Sequence, residues 1–233
     1  MSTIAQLVAD ISAAPAPVVF LDTCAILDVA RAPMRGQPDS VPAAMDLIRL
    51  AAQSPPGVYL LVADIVEREW ADHIASARKA ATDAVEAHIA VSAVATSTGV
   101  VACPPPPPQL HQLPIALEQL SQRLLWACRV IDREPTTLSA ALDRVVAKRR
   151  PSTKGQVKDC HIVEHCLAVA RSLGEVAFLH HLLFVSSNTD DFAARPSTAI
   201  HADLAGDFSA VGLRYAVTVG AAVAELRSAN QIP

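Results

Sequence analysis

Acidic residues at Asp22, Glu69 and Asp159 and in the Asp190-Asp191 pair fall where a fold could gather four carboxylates. Asp22 ends the apolar run Val18-Val19-Phe20-Leu21, and Asp191 ends the polar run that follows Leu182-Leu183-Phe184-Val185-Ser186. Glu69 lies on a helical stretch behind a second apolar run, and Asp159 opens another helical stretch. Like charges brought together repel and raise each other's pKa, so four converging carboxylates require a counter-charge. Hard oxygen ligands of this kind suit Mg²⁺ or Mn²⁺, and the chemistry they support is phosphodiester hydrolysis through a metal-activated water. Thr23, Ser186 and Ser187 are candidates to hold such a water or a phosphate oxygen, with turn and cap roles as the alternative. Lys148, Arg149, Arg150, Lys154 and Lys158 form a basic run that arrives at Asp159. It suits RNA phosphates, although cations are also favoured at a solvated helix end.

The elements that must position these residues read as alternating strands and helices. Val18–Leu21, Gly57–Val62 and Leu182–Ser186 are short, continuously apolar runs, the pattern of strands buried on both faces. A further strand is expected at Tyr215–Val217. Helical spacing marks Ile4 to Ile11 behind a Ser2/Thr3 cap, a helix through Met45 to Leu50, and one from Ile65 capped by Asp64. It also marks Val157 to Ser172 closed by Gly174, His201 to Ala210, and a last helix capped near Thr218. Residues 31–42, punctuated by Pro33, Gly36 and Pro38, read as loop. From His73 to Arg150 the pattern is helical, broken by Pro104 to Pro108, with later helices expected to run to Ile131 and to Arg150. The expectation is one domain over residues 1–233, a three-layer α/β sandwich with a mostly parallel sheet, carrying a helical insertion at 73–150. In such sheets ligands bind beyond the carboxyl ends of the strands, where Asp22 and the Ser187 to Asp191 run belong.

Composition excludes several classes. A chain of 233 residues with 52% hydrophobic and 18% charged residues is neither disordered nor solvating. Net charge −4 rules out a general polyanion coat, so any nucleic-acid site must be local. Five cysteines without a regular framework fit a reducing cytoplasm, and Cys160 and Cys166 read as small buried hydrophobes. No run is long enough to cross a membrane. Eight glycines form no phosphate loop, and Cys24 stands where an aspartyl-phosphate phosphatase needs a second Asp. His161-Ile162-Val163-Glu164-His165 matches the inverted zinc-peptidase motif, but five residues match it often by chance in a helix, and the neighbouring Asp159 already fits the acidic pattern.

Four ordered segments carry a resemblance: Val18-Val19-Phe20-Leu21-Asp22-Thr23-Cys24, Asp64 to Trp70, Lys158-Asp159-Cys160, and Phe184 to Phe192. Together they resemble the PIN domain family over about residues 18–70 and 155–226. The resemblance implies a metal-dependent endoribonuclease with Asp22, Glu69, Asp159 and Asp191 around one or two Mg²⁺ or Mn²⁺ ions. Family spacing favours Glu69 over Glu67, and the fourth ligand is Asp191, Asn188 through its carbonyl, or both through water. Arg149, Arg150, Lys154 and Lys158 are then the expected RNA contacts. RNA is the expected partner. An antitoxin seated in the acidic cleft, another protein partner, or a second copy of the chain are further candidates. The 73–150 insertion has no counterpart in the short toxin-type members, and with Asn188 it motivates the alternative of a catalytically silent scaffold that binds a protein partner.

Overall fold

Val18–Leu21 (β1), Tyr59–Ala63 (β2), Arg129–Ile131 (β3), Leu182–Val185 (β4) and Leu213–Ala216 (β5) form one parallel sheet in the order β3-β2-β1-β4-β5. This is seen in a computed structural model that describes residues 2–99, 106–152, 157–194 and 196–233. Every residue of β1, β2 and β4 is buried, as their unbroken apolar runs require of strands covered on both faces. The helices are Ile4–Ala13 (α1), Thr23–Ala30 (α2), Ala32–Arg35 (α3), Ser40–Ala51 (α4), Val66–Ser97 (α5) and Leu113–Trp126 (α6). They continue with Pro135–Val146 (α7), Val157–Glu175 (α8), Thr189–Phe192 (α9), Ala202–Ala210 (α10) and Val219–Ser228 (α11). They pack as two groups: α1 and α7 lie against α8, whereas α2, α4, α5 and α6 pack on one another with α11 against α4. Helix, sheet and helix layers make an α/β sandwich.

Local chemistry sets several boundaries. Thr3 and Gln6 close a capping box at α1, and Thr218 accepts from the Ala221 N–H at the start of α11. The four-residue α9 is anchored by Phe192, whose ring is fully buried 5.1 Å from that of Phe184. Burying such a side chain contributes about 2–3 kcal/mol, which fixes the neighbouring Asp191 against the sheet.

The structure differs from the sequence expectation in five places. The 73–150 segment is not wholly helical: α6 ends at Trp126, and β3 pairs with β2 through Leu61–Arg129, Val62–Val130 and Ala63–Ile131. A three-residue edge strand is too short to show a period. Its outer side is bridged by Ser2, whose N–H donates to the Val130 carbonyl at 3.0 Å. Residues 31–42 are not loop throughout, because prolines are tolerated in the first turns of α3 and α4. α7 stops at Val146, short of Arg150. Gly174 lies inside α8, and Ala177 takes the left-handed conformation (φ 54°) beyond its end. Asp64 makes no cap to α5; its carboxylate is drawn to His161 and Arg133. Among the described residues no helix is long and apolar enough to cross a membrane. Of the five-proline run, Pro104 and Pro105 lie outside the described residues, as do Cys103 and Lys154.

Candidate metal centre

From β1 the chain moves outward to β2 and β3 and then crosses to β4 and β5 on the other side. The strand order therefore reverses between β1 and β4, and a crevice opens at their carboxyl ends. Leu21 pairs with Val185, so Asp22 and Ser186 emerge side by side. The Asp22 N–H donates to the Val185 carbonyl at 3.0 Å, and the Ser186 hydroxyl donates to Asp22 Oδ2 at 2.6 Å. Ser186 Oγ in turn accepts from the Asn188 N–H at 3.2 Å. Asp22, only 2% exposed, is thus held in one orientation at the floor of the crevice.

The other acids reach it from separate elements. Glu69 is half-buried in the first turn of α5 and accepts from Thr23 Oγ1 at 2.8 Å, while Glu67 is exposed. Asp159 occupies the first turn of α8. Asp191 lies on α9 and accepts from Asn188 Nδ2 at 2.9 Å, so the amide nitrogen of Asn188, not its carbonyl, faces that carboxylate. Burial, then the charge of Glu69, pushes the Asp22 carboxyl up to about 6 against the pull of the Ser186 hydroxyl. Burial, then the charges of Asp22, Asp191 and Glu69, pushes Asp159 up to about 7. Asp159 therefore shares one field with all three other acids.

Cations stand on the outer side. Lys158 Nζ is 3.2 Å from Glu69 Oε1, and Arg150 Nη1 is 3.8 Å from Asp191 Oδ1 while also donating to the Asp190 carbonyl. The structure does not bring Arg149 to the acids: it pairs with Asp207 at 2.9 Å. Thr23, Ser186 and Asn188 all contact the quartet, whereas the Ser187 hydroxyl is buried without a partner among the described residues. The quartet is more open than a closed ion cage, since no three of its members bring ligand atoms within 4.8 Å of one another among the described residues. The residues nevertheless fit a hard divalent ion. Their donors are oxygen throughout, and the carboxyl groups of Asp22 and Asp159, whose ionised forms burial and neighbouring charge disfavour, would be relieved by a cation.

The raised carboxyl groups carry a sign. A folded-state pKa above the unfolded one contributes stability at low pH that is lost as pH rises through the folded value. For Asp159 this window runs from about 4 to about 7. In EDTA, Asp159→Asn is therefore expected to melt progressively above wild type as pH rises from about 4 to about 7, and saturating Mn²⁺ should remove that advantage. Calorimetry of both proteins across the range checks it, and a constant difference would contradict it.

Sequence reasoning missed Arg144. This guanidinium is 4% exposed; its Nε donates to Glu164 Oε1 at 2.7 Å, its Nη2 to Asp207 Oδ2 at 2.8 Å and its Nη1 to the Arg150 carbonyl at 3.0 Å. It thereby ties α7 and α8 to the turn that carries Arg150. The signal was a charged residue on the buried face of α7, in helical register with Thr137 and Ala141. Glu164 is consequently bound to Arg144 and not paired with the two histidines of its motif, which leaves a zinc-peptidase arrangement without its base.

No curated protein and no solved structure matches the chain. A family comparison matches the PIN domain over residues 19–192, a span that includes Asp22, Glu69, Asp159 and Asp191. The chain belongs to the PIN domain family, whose members are generally nucleases that use divalent metals.

Proposed function

We propose that the protein is a Mg²⁺- or Mn²⁺-dependent endoribonuclease whose metal is held by Asp22, Glu69, Asp159 and Asp191. One observation carries the reading: four acids from four separate elements converge at the strand-order reversal, with burial and Glu69 raising Asp22 to about 6, and burial and the other three acids raising Asp159 to about 7. A fold gains nothing in stability from such an arrangement, so its use lies in binding. A divalent ion held there supplies Lewis-acid activation of water and neutralisation of charge on the phosphate.

The chain's own residues do the positioning. Ser186 orients the Asp22 carboxylate and Thr23 orients Glu69, so both present fixed oxygens. Lys158 and Arg150, resting on Glu69 and Asp191, are placed to transfer to phosphate oxygens when an RNA backbone enters. The planar guanidinium of Arg150 can take two such oxygens at once. Among the described residues nothing in the site provides stacked aromatics, so backbone contact, not base readout, is the expected mode.

The test is cleavage of a labelled single-stranded RNA pool with Mg²⁺, Mn²⁺ or EDTA, with Asp159→Asn alongside to exclude a contaminating nuclease. Metal-dependent cutting absent from the variant is expected. No cutting by wild type, together with no Mn²⁺-induced rise in melting temperature, would overturn the proposal in favour of a silent scaffold that acts through a protein partner.

A further inference from the structure

We propose a second metal site, separate from the acidic crevice, in which Asp64, His161 and His165 bind Zn²⁺ and fasten α8 to the carboxyl end of β2. Their ligand atoms lie within 4.8 Å of one another, and no other described group of three such residues does so. His161 and His165 are one turn apart on α8, with ring centroids 4.1 Å apart, and His161 Nε2 lies 2.7 Å from Asp64 Oδ1. Ligand atoms around tetrahedral zinc are about 3.3 Å apart, so the His161–Asp64 pair at 2.7 Å would open and the other pairs, none beyond 4.8 Å, would adjust around the ion. Two imidazoles and one carboxylate select zinc over magnesium, and three protein ligands leave a fourth position for water or substrate.

The hydrogen bonding around His165 points to a ligand. Its ring is fully buried, and Nδ1–H donates to the His161 carbonyl at 2.9 Å. In the neutral ring Nε2 is then a lone pair. Its neighbour at 3.4 Å is Thr137 Oγ1, whose proton is committed to the Glu134 carbonyl at 2.8 Å. The Asp132 carbonyl also faces this ring. A buried nitrogen lone pair is thus surrounded by oxygens with no proton to give. A zinc ion at Nε2 resolves the mismatch, with the Nδ1–H to carbonyl bond setting tautomer and ring orientation as it does for zinc-bound histidines. Asp64 is likewise prepared: Arg133 Nε donates to Oδ2 at 3.0 Å, which leaves Oδ1 toward the histidines.

The site would pin the first turns of α8, and so Asp159, against the strand that leads to Glu69. It does not rest on the nuclease reading, because its donors and its metal are different. The test is Co²⁺ and Zn²⁺ titration of chelator-treated full-length protein. Visible absorption of bound Co²⁺ and its displacement by Zn²⁺ are the readouts, with circular dichroism to confirm folding. One tight equivalent of Zn²⁺ that persists in Asp22→Asn/Glu69→Gln is expected, any further binding at the acidic crevice being lost in that variant. Affinity should fall about 100-fold or more in Asp64→Asn and in His161→Gln, and stay unchanged in Asp22→Asn/Glu69→Gln. Absence of the Co²⁺ absorption band, binding indifferent to Asp64→Asn and His161→Gln, or binding lost in Asp22→Asn/Glu69→Gln would each overturn the site. RNA cleavage in Mg²⁺ is scored separately, so failure of one proposal is distinguishable from failure of the other.

Discussion

Asp22→Asn is expected to lose metal-dependent RNA cleavage by about 10³-fold while folding at least as well as wild type in EDTA. The activity figure follows from the several kcal/mol that a bound cation supplies to a phosphoryl transition state. Asp22 is the most deeply buried acid of the crevice. It is sealed at the switch between β1 and β4, oriented by Ser186, and within the field of Asp159 and Glu69. The amide retains the shape and can still accept from the Ser186 hydroxyl, but it removes the charge that the proposed ion would neutralise. Stability should move the other way. Raising a buried carboxyl from its ordinary 3.8 to about 6 corresponds to about 3 kcal/mol against the ionised folded state at neutral pH. The same substitution should abolish the Mn²⁺-induced rise in melting temperature. Single-turnover cleavage and calorimetry with and without Mn²⁺ measure the two effects. A variant that cuts within tenfold of wild type would show that Asp22 does not hold the metal.

Much of this architecture was legible because its central strands are buried on both faces. β1, β2 and β4 read as continuous apolar runs, and runs ended by Asp22 and by the Ser186 to Asp191 segment place polar groups at one sheet edge. What could not be read was everything decided by pairing between distant segments. β3 is three residues long and half-exposed on its outer side, so no period announces it. Asp64 looked like a helix cap because Asp before an apolar helix usually is one. Its actual role depends on His161, a hydrogen bond spanning 97 positions. The helix α8 was marked by its spacing, but its depth of burial was not, for a related reason. Residues 160–167 are buried without interruption, because α1 and α7 enclose the face that would otherwise be wet. The polar residues on it, His161, Glu164 and His165, each had to find a partner. Arg149 and Arg150, adjacent in sequence, diverge to Asp207 and to Asp191 because the turn that carries them follows the end of α7.

That turn depends on Arg144, and Arg144→Met is expected to cost about 3 kcal/mol of stability. Removing one partner of a buried pair leaves the other charge without compensation, and here Glu164, at 11% side-chain exposure, is the group stranded. Asp207 is more exposed and keeps Arg149, so it adds little. For a domain of this size the loss corresponds to a fall of about 6–12 °C in melting temperature. The double variant Arg144→Met/Glu164→Leu should recover much of it, because a buried pair exchanged for apolar residues leaves no orphaned charge. Recovery in the double variant separates charge stranding from simple loss of packing, which it would not repair. Cleavage should respond differently. Arg144 also holds the Arg150 carbonyl, so both variants free the turn beside Asp191, and restoring stability should not restore the rate. Urea unfolding of the wild type and both variants, with cleavage measured well below each melting temperature, checks the pair of effects. A single variant that loses less than about 1 kcal/mol would place the anchor elsewhere. A double variant with full activity would show that the turn is held without it.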